Sequence, residues 1–150
     1  MNNMKKIIIM DIDGTIANIT HRRAYVQLRP KNWPAFNRAM VKDTIYPDIL
    51  WMYNVLKNQE DTLMFIASGR GEENRDVTEK WLADNGIEYM NLFMRPAKDH
   101  RQDNIIKFEI LEQIRREYGE PFMVFDDRDQ VVNMWRENGV RCMQVSPGDF

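Results

Sequence analysis

The apolar run Ile7-Ile8-Ile9-Met10 passes without a break into Asp11-Ile12-Asp13-Gly14-Thr15. Four consecutive β-favouring or apolar residues describe a strand buried on both faces, as in a parallel sheet covered by helices, and Gly14-Thr15 reads as the turn leaving it. Two carboxylates therefore stand at the carboxyl end of a buried strand. In open α/β sheets ligands bind along that edge, where the strand order reverses. Acids one residue apart in an extended segment point to opposite faces, but a sharp turn at the glycine brings both over one site. The pair then supplies a nucleophile and a proton-transfer group, or a metal cradle. A strand end with an Asx turn would account for a lone Asp-Gly, and five residues in this order ask for more.

The pattern recurs. Leu63-Met64-Phe65-Ile66-Ala67 leads to Ser68-Gly69-Arg70-Gly71, and Phe122-Met123-Val124-Phe125 runs straight into Asp126-Asp127. A weaker strand, interrupted by Asn91, is expected over 89–94, and a last one over 140–145. Helical spacing predicts helices over 48–58, 72–85, 103–118 and 128–138, with Gly86, Gly119 and Gly139 as stops. Trp51, Trp81 and Trp135 fall at core positions of these helices. Residues 17–47, broken by Pro30, Pro34 and Pro47, read as a loop with short helical pieces. Strands alternating with helices imply an α/β fold: a three-layer, Rossmann-like parallel sheet of about five strands with helices on both faces and a short insertion after the first strand. A chain of 150 residues suits one domain, 1–150, with 17–47 as its small insertion.

Composition narrows the function classes. The single cysteine, Cys142, cannot form an internal disulfide and is expected in the core of a strand, which suggests a reducing compartment. Lys5 and Lys6 precede an apolar run, but Asp11 ends it too early for a signal peptide or a membrane span, so a cytoplasmic protein is expected. The net charge of −2 hides an asymmetry: residues 17–47 carry six basic side chains against Asp43 alone, a net of +5 that leaves −7 for the remainder. A basic insertion beside an acidic site suits a polyanionic or phosphorylated partner, and suits equally a solvated face. Tyr25, Trp33 and Phe36, interleaved with these charges, either stack on a base or pack the insertion onto its domain.

In a parallel sheet the carboxyl ends share one rim, so Asp11 and Asp13, Ser68 and Arg70, and Asp126 and Asp127 converge. Four carboxylates without a compensating cation repel one another, and an all-oxygen set calls for a hard divalent ion, magnesium rather than zinc. Lys107 shares an inward stripe with Leu111 and Ile114 one turn into its helix, and side chains tilt toward the helix N-terminus, which aims its ammonium at the rim. Asp103, four residues earlier, stands in position to hold it; a lysine snorkelling to solvent is the bland alternative.

Together these residues resemble the haloacid dehalogenase-like phosphohydrolases, whose four motifs match as Asp11-Ile12-Asp13-Gly14-Thr15, Ser68, Lys107 and Asp126-Asp127. The resemblance implies that Asp11 attacks phosphorus to form an aspartyl-phosphate, and that Asp13 protonates the leaving oxygen and then activates water. It implies that Thr15, Ser68, Gly69 and Lys107 hold phosphate oxygens, and that Mg2+ bridges Asp11, the Asp13 carbonyl, Asp126 and Asp127. The stretch Asp126 to Arg136, the tail Gln144 to Phe150, Ser68-Gly69-Arg70 and Asp99 to Lys107 are similar, more narrowly, to the phosphatase halves of the bacteriophage polynucleotide kinase/phosphatases of nucleic-acid repair.

That narrower similarity implies removal of a 3'-phosphate, with a 2',3'-cyclic phosphate as a second candidate, from DNA or RNA ends. Arg22 and Arg70 then serve phosphate or substrate contact, and Asp103 orients Lys107. A phage-encoded chain would work in its host's cytoplasm. No GxxxxGK[ST] loop is present, so no kinase activity is expected. The insertion matches least well apart from Arg22, which leaves a mononucleotidase of the same fold and a non-catalytic end-binding module as rivals. Self-association is open, with Phe150 as a candidate anchor.

Overall fold

Alternation along one strand sets the three layers. In β1 (Lys6–Met10), Ile7 and Ile9 face one side of the sheet while Ile8 and Met10 face the other, and all four are buried. Fully burying each such side chain is worth roughly 1.5–3 kcal/mol. The computed structural model describes residues 5–150. After β1 come β2 (Ala17–Asn18), α1 (Thr20–Gln27), α2 (Trp33–Arg38), β3 (Thr44–Ile45), α3 (Pro47–Lys57), β4 (Thr62–Gly71) and α4 (Arg75–Asp84). Then follow β5 (Asn91–Arg95), α5 (Asp103–Glu117), β6 (Pro121–Asp126), α6 (Asp129–Glu137) and β7 (Cys142–Gln144). The main sheet has the order β5-β4-β1-β6-β7, with every pairing parallel. Ile106, Ile110, Leu111 and Ile114 of α5 and Val131, Val132 and Trp135 of α6 cover the Ile7/Ile9 face. Tyr53 of α3 and Trp81 and Leu82 of α4 cover the other. The α/β architecture is the one the alternating pattern implied.

The chain proceeds outward from β1 to β4 and β5, then crosses back to β6 on the opposite side of β1. The strand order therefore reverses between β1 and β6, and in open α/β sheets ligands bind at the carboxyl ends of the strands at such a point. The Asp11 amide donates to the Phe125 carbonyl at 3.0 Å, joining the two strands at this point.

Some elements differ from the sequence expectation. The insertion is more ordered than a loop: β2 and β3 pair antiparallel and bracket α1, α2 and a 3-10 turn at Ala39–Lys42. Two of the three prolines that break the pattern begin helices, Pro34 in the first turn of α2 behind the Asn32 cap and Pro47 in that of α3. Strand β4 continues through Ser68-Gly69-Arg70-Gly71, with an irregular register against β5 between Ala67 and Gly71. Strand β7 is shorter than 140–145, because the Val140 amide closes the end of α6 by donating to Trp135. Trp51 is not core: it is 69% exposed, whereas Trp81 and Trp135 are buried. Cys142 is in the core as expected, and burial pushes its thiol up to about 12. No helix among the described residues is long and apolar enough to cross a membrane.

Candidate active site

The turn after β1 is built around Gly14. Its φ of +82° is open to glycine, and a Cβ there would stand 2.1 Å from Asp127 Oδ2. The amides of Thr15, Ile16 and Ala17 all donate to the Ile12 carbonyl, which closes the turn tightly. The Asp11 carboxylate is held from two sides, by Thr15 Oγ1 donating to Oδ2 at 2.9 Å and Lys107 Nζ donating to Oδ1 at 2.7 Å. Thr15, expected at the phosphate, thus orients Asp11, and its hydroxyl lies 3.4 Å from Asp127 Oδ1 as well.

Asp13 faces the other way, into an arginine clamp. Arg70 Nη2 donates to its Oδ1 at 2.7 Å, and Arg22 Nη2 reaches the same oxygen at 2.9 Å. Burial works against its charge, but the guanidinium groups of Arg70 and Arg22 outweigh it and hold the carboxyl below the usual range. Both arginines are in turn held by Asp43, whose side chain is fully buried. Arg22 donates to Asp43 through Nε at 2.8 Å and Nη2 at 2.7 Å, and Arg70 Nη2 donates at 3.1 Å. His21 Nε2 lies 2.7 Å from Asp43, and the Trp81 indole donates to the Asp43 carbonyl at 2.8 Å. His21, on α1, is therefore paired with a buried carboxylate. Arg22, expected to touch substrate, contacts two carboxylates and is fully buried, with Phe36 stacked on its guanidinium at 4.3 Å.

Ser68 and Gly69 lie in the irregular part of β4. The buried Ser68 Oγ accepts from the Arg70 amide at 3.1 Å, and Gly69 leaves no room for a Cβ, which would stand 2.8 Å from Asp103 Oδ1. Strand irregularities of this kind re-aim side chains at a site. Lys107, one turn into α5, does reach the rim: its buried Nζ bridges Asp11 and Asp126 Oδ2, the latter at 2.8 Å. Asp103 does not hydrogen-bond it. That carboxylate accepts from Arg95 and from Arg128, the latter at 2.8 Å, and so ties the start of α5 to β5 and to the loop after β6. Two cations sit closer to it than Lys107 does, and they decide where it points.

Asp11, Asp126 and Asp127 each bring an oxygen to within 4.8 Å of the others. Burial, and behind it repulsion from Asp126, push the Asp11 carboxyl well above the usual range against the pull of Lys107. The same two causes raise Asp127 to about 6. Burial also opposes the Lys107 charge, yet Asp11 and Asp126 outweigh it and raise its pKa. Asp127 Oδ2 is buried with no hydrogen-bond partner. Three buried acids facing one ammonium, with an orphaned oxygen among them, fit a hard divalent cation. The Asp13 carboxylate is outside this trio.

Sequence reasoning missed four supports. Asp43 was visible as the lone acid of a basic segment, but only its contacts give it a role. Trp135, read as core, also donates its indole N–H to Asp126 Oδ2 at 3.2 Å. Arg95 donates to the Gly69 carbonyl at 2.8 Å, and Arg128 holds Asp103 from the opposite side.

This strand order, with acids at the ends of β1 and β6 facing a lysine from α5, places the chain among the haloacid dehalogenase-like phosphatases. A haloacid dehalogenase-like hydrolase from Streptococcus pneumoniae shares the fold with a TM-score of 0.66 at 10% identity, over 96% of this chain and 85% of that one. Residues 5–150 match the family of the polynucleotide kinase PNKP phosphatase domain, and the chain belongs to that family. It is 29% identical over 133 residues to a bifunctional polynucleotide kinase/RNA ligase of Autographa californica nuclear polyhedrosis virus. That match covers 88% of this chain and 18% of the viral protein. A chain of the Pnkp1/Rnl/Hen1 RNA repair complex superimposes with a TM-score of 0.81 at 32% identity, over all of this chain and 45% of that one. The chain thus spans less than half the length of the viral protein and of the repair-complex chain.

Proposed function

We propose that this phosphatase removes the 3'-phosphate from nucleic-acid ends, DNA or RNA, through an aspartyl-phosphate on Asp11. The observation that carries the chemistry is Asp11 itself, oriented by Thr15 and Lys107 at the carboxyl ends of β1 and β6, two residues before an acid under separate control. The family match supports the nucleic-acid substrate.

An Asp11 oxygen attacks phosphorus and the bond to the 3'-oxygen breaks. Asp13 gives its proton to that oxygen, and then takes a proton from the water that hydrolyses the aspartyl-phosphate. At rest the arginine clamp keeps Asp13 ionised. An arriving phosphate dianion adds negative charge beside Asp13 and offsets the pull of the arginine charges, which raises its carboxyl toward the protonated form the first step needs. Ser68 and Lys107 hold the phosphate oxygens. Asp11, Asp126, Asp127 and the Asp13 carbonyl would hold Mg2+, which supplies positive charge against the transferring phosphoryl group.

The test compares turnover of a 3'-phosphorylated oligonucleotide with that of 3'- and 5'-mononucleotides, with and without chelator. Preference for the oligonucleotide and loss of activity on chelation are expected. Equal or better use of 5'-mononucleotides would overturn the assignment in favour of a nucleotidase.

A further inference from the structure

Near the carboxyl end of β6, two guanidinium groups lie against the half-exposed Phe150 ring, Arg23 at 5.2 Å and Arg128 at 5.4 Å from its centroid. Each arginine is the sequence neighbour of a site residue. Arg23 follows Arg22 on α1, and Arg128 follows Asp127, whose ionised form the Arg23 charge favours. The platform is rigid. The Val145 amide donates to the Asp126 carbonyl at 3.1 Å and the Asp129 amide to the Gly148 carbonyl at 2.8 Å, and a Cβ on Gly148 would stand 1.9 Å from the Asp127 carbonyl. Arg128 Nε donates to the Phe150 carbonyl at 2.8 Å, which fixes the ring's backbone over the same loop.

Two features of this stack are unexplained by packing alone. Arg23 has no carboxylate partner among the described residues, and its Nε is buried without an acceptor. Phe150 keeps 54% of its surface in water although it is held on a fixed backbone. An aromatic face beside an uncompensated guanidinium suits a stacked base followed by a phosphate, the combination that binds single strands. A mononucleotide carries no second phosphate to use it.

We propose that Arg23, Phe150 and Arg128 form a subsite for the strand leading to the scissile phosphate, with the phenyl face receiving a base and Arg23 an internucleotide phosphate. The subsite rests on the nucleic-acid reading above, and makes the enzyme a polynucleotide phosphatase rather than a mononucleotide one.

The experiment measures kcat/KM for a 3'-phosphorylated oligonucleotide and for a 3'-mononucleotide, as a ratio, in wild type, Arg23→Gln, Arg23→Lys, Phe150→Ala and Phe150→Trp. The ratio is expected to fall about ten-fold in Arg23→Gln and in Phe150→Ala, through KM rather than kcat, and to recover in Arg23→Lys and Phe150→Trp. The salt dependence of oligonucleotide KM should weaken in Arg23→Gln by about one released counterion. A wild-type preference for oligonucleotides that survives unchanged in Arg23→Gln and Phe150→Ala would overturn the subsite while leaving the proposed function standing. An equal fall on both substrates, with a lowered melting temperature, would show a packing contact only. A wild type with no preference for the oligonucleotide would remove the nucleic-acid reading itself, and the subsite with it.

Discussion

Replacing Asp43 by asparagine removes one charge from a cluster in which two arginines are neutralised by two carboxylates. The Asp43 side chain is fully buried and accepts from Arg22 twice, at 2.8 and 2.7 Å, and from Arg70 at 3.1 Å. Asparagine keeps one acceptor oxygen and turns an amide toward these donors, so one guanidinium charge is left buried and unpaired. Breaking a buried ion pair from one side costs about 3–5 kcal/mol. For a chain of this length each kcal/mol lowers Tm by about 2–4 °C, which gives a fall of about 6–20 °C. Activity should fall further than the folded fraction explains, since Arg22 and Arg70 position Asp13. Thermal melting and denaturant titration measure the first effect, and kcat at a temperature where the variant is folded measures the second. A Tm within 3 °C of wild type together with unchanged kcat would refute the claim that Asp43 anchors the clamp.

Asp11→Asn should lower kcat at least a thousand-fold and trap no labelled phosphate on the protein in single-turnover experiments, with stability retained. Lys107→Met leaves Asp11, Asp126 and Asp127 facing one another without the ammonium, and should cost the metal-free protein about 3 kcal/mol in denaturant titration. Asp127, raised to about 6, carries repulsion above that pH which protonation relieves as pH falls toward its unfolded pKa. The chelator-treated protein should therefore be more stable at pH 5.0 than at pH 7.5, by on the order of 1 kcal/mol, a gain that saturating Mg2+ abolishes; greater stability at pH 7.5 would contradict it. Arg22→Ala should slow an oligonucleotide and a small chromogenic phosphate by the same factor, because Arg22 touches Asp13 and Asp43 rather than the strand.

The layers, the strand order's active edge and the Asp11, Lys107, Asp126 and Asp127 cluster were legible because each follows from local rules. A continuous apolar run marks a buried strand, a following acid marks its end, and Lys107 lies on the buried stripe of its own helix. The clamp on Asp13 was not legible. It joins side chains from β4, α1 and the segment before β3 through hydrogen bonds, which leave no periodicity. For the same reason Asp103 misled: spacing of four residues on a helix suggested Lys107, while Arg95 and Arg128 arrive from elements distant in sequence. Ser68 was placed after its strand because Ser-Gly-Arg-Gly reads as a turn, whereas pairing to Arg95 draws Gly71 back into the sheet.

The insertion leaves and re-enters the core on the two-stranded ladder of Ala17–Asn18 and Thr44–Ile45, a layout that invites exchange of one such module for another. Arg22 and Asp43 lie within that excursion, and Asp13 leans on Arg22 directly and on Asp43 through it. A graft that altered substrate choice while discarding this pair would inherit a sheet ready to fold and an Asp13 with half its restraint gone. Diversification of this segment is thus tethered at two points, and new specificities must be written around them.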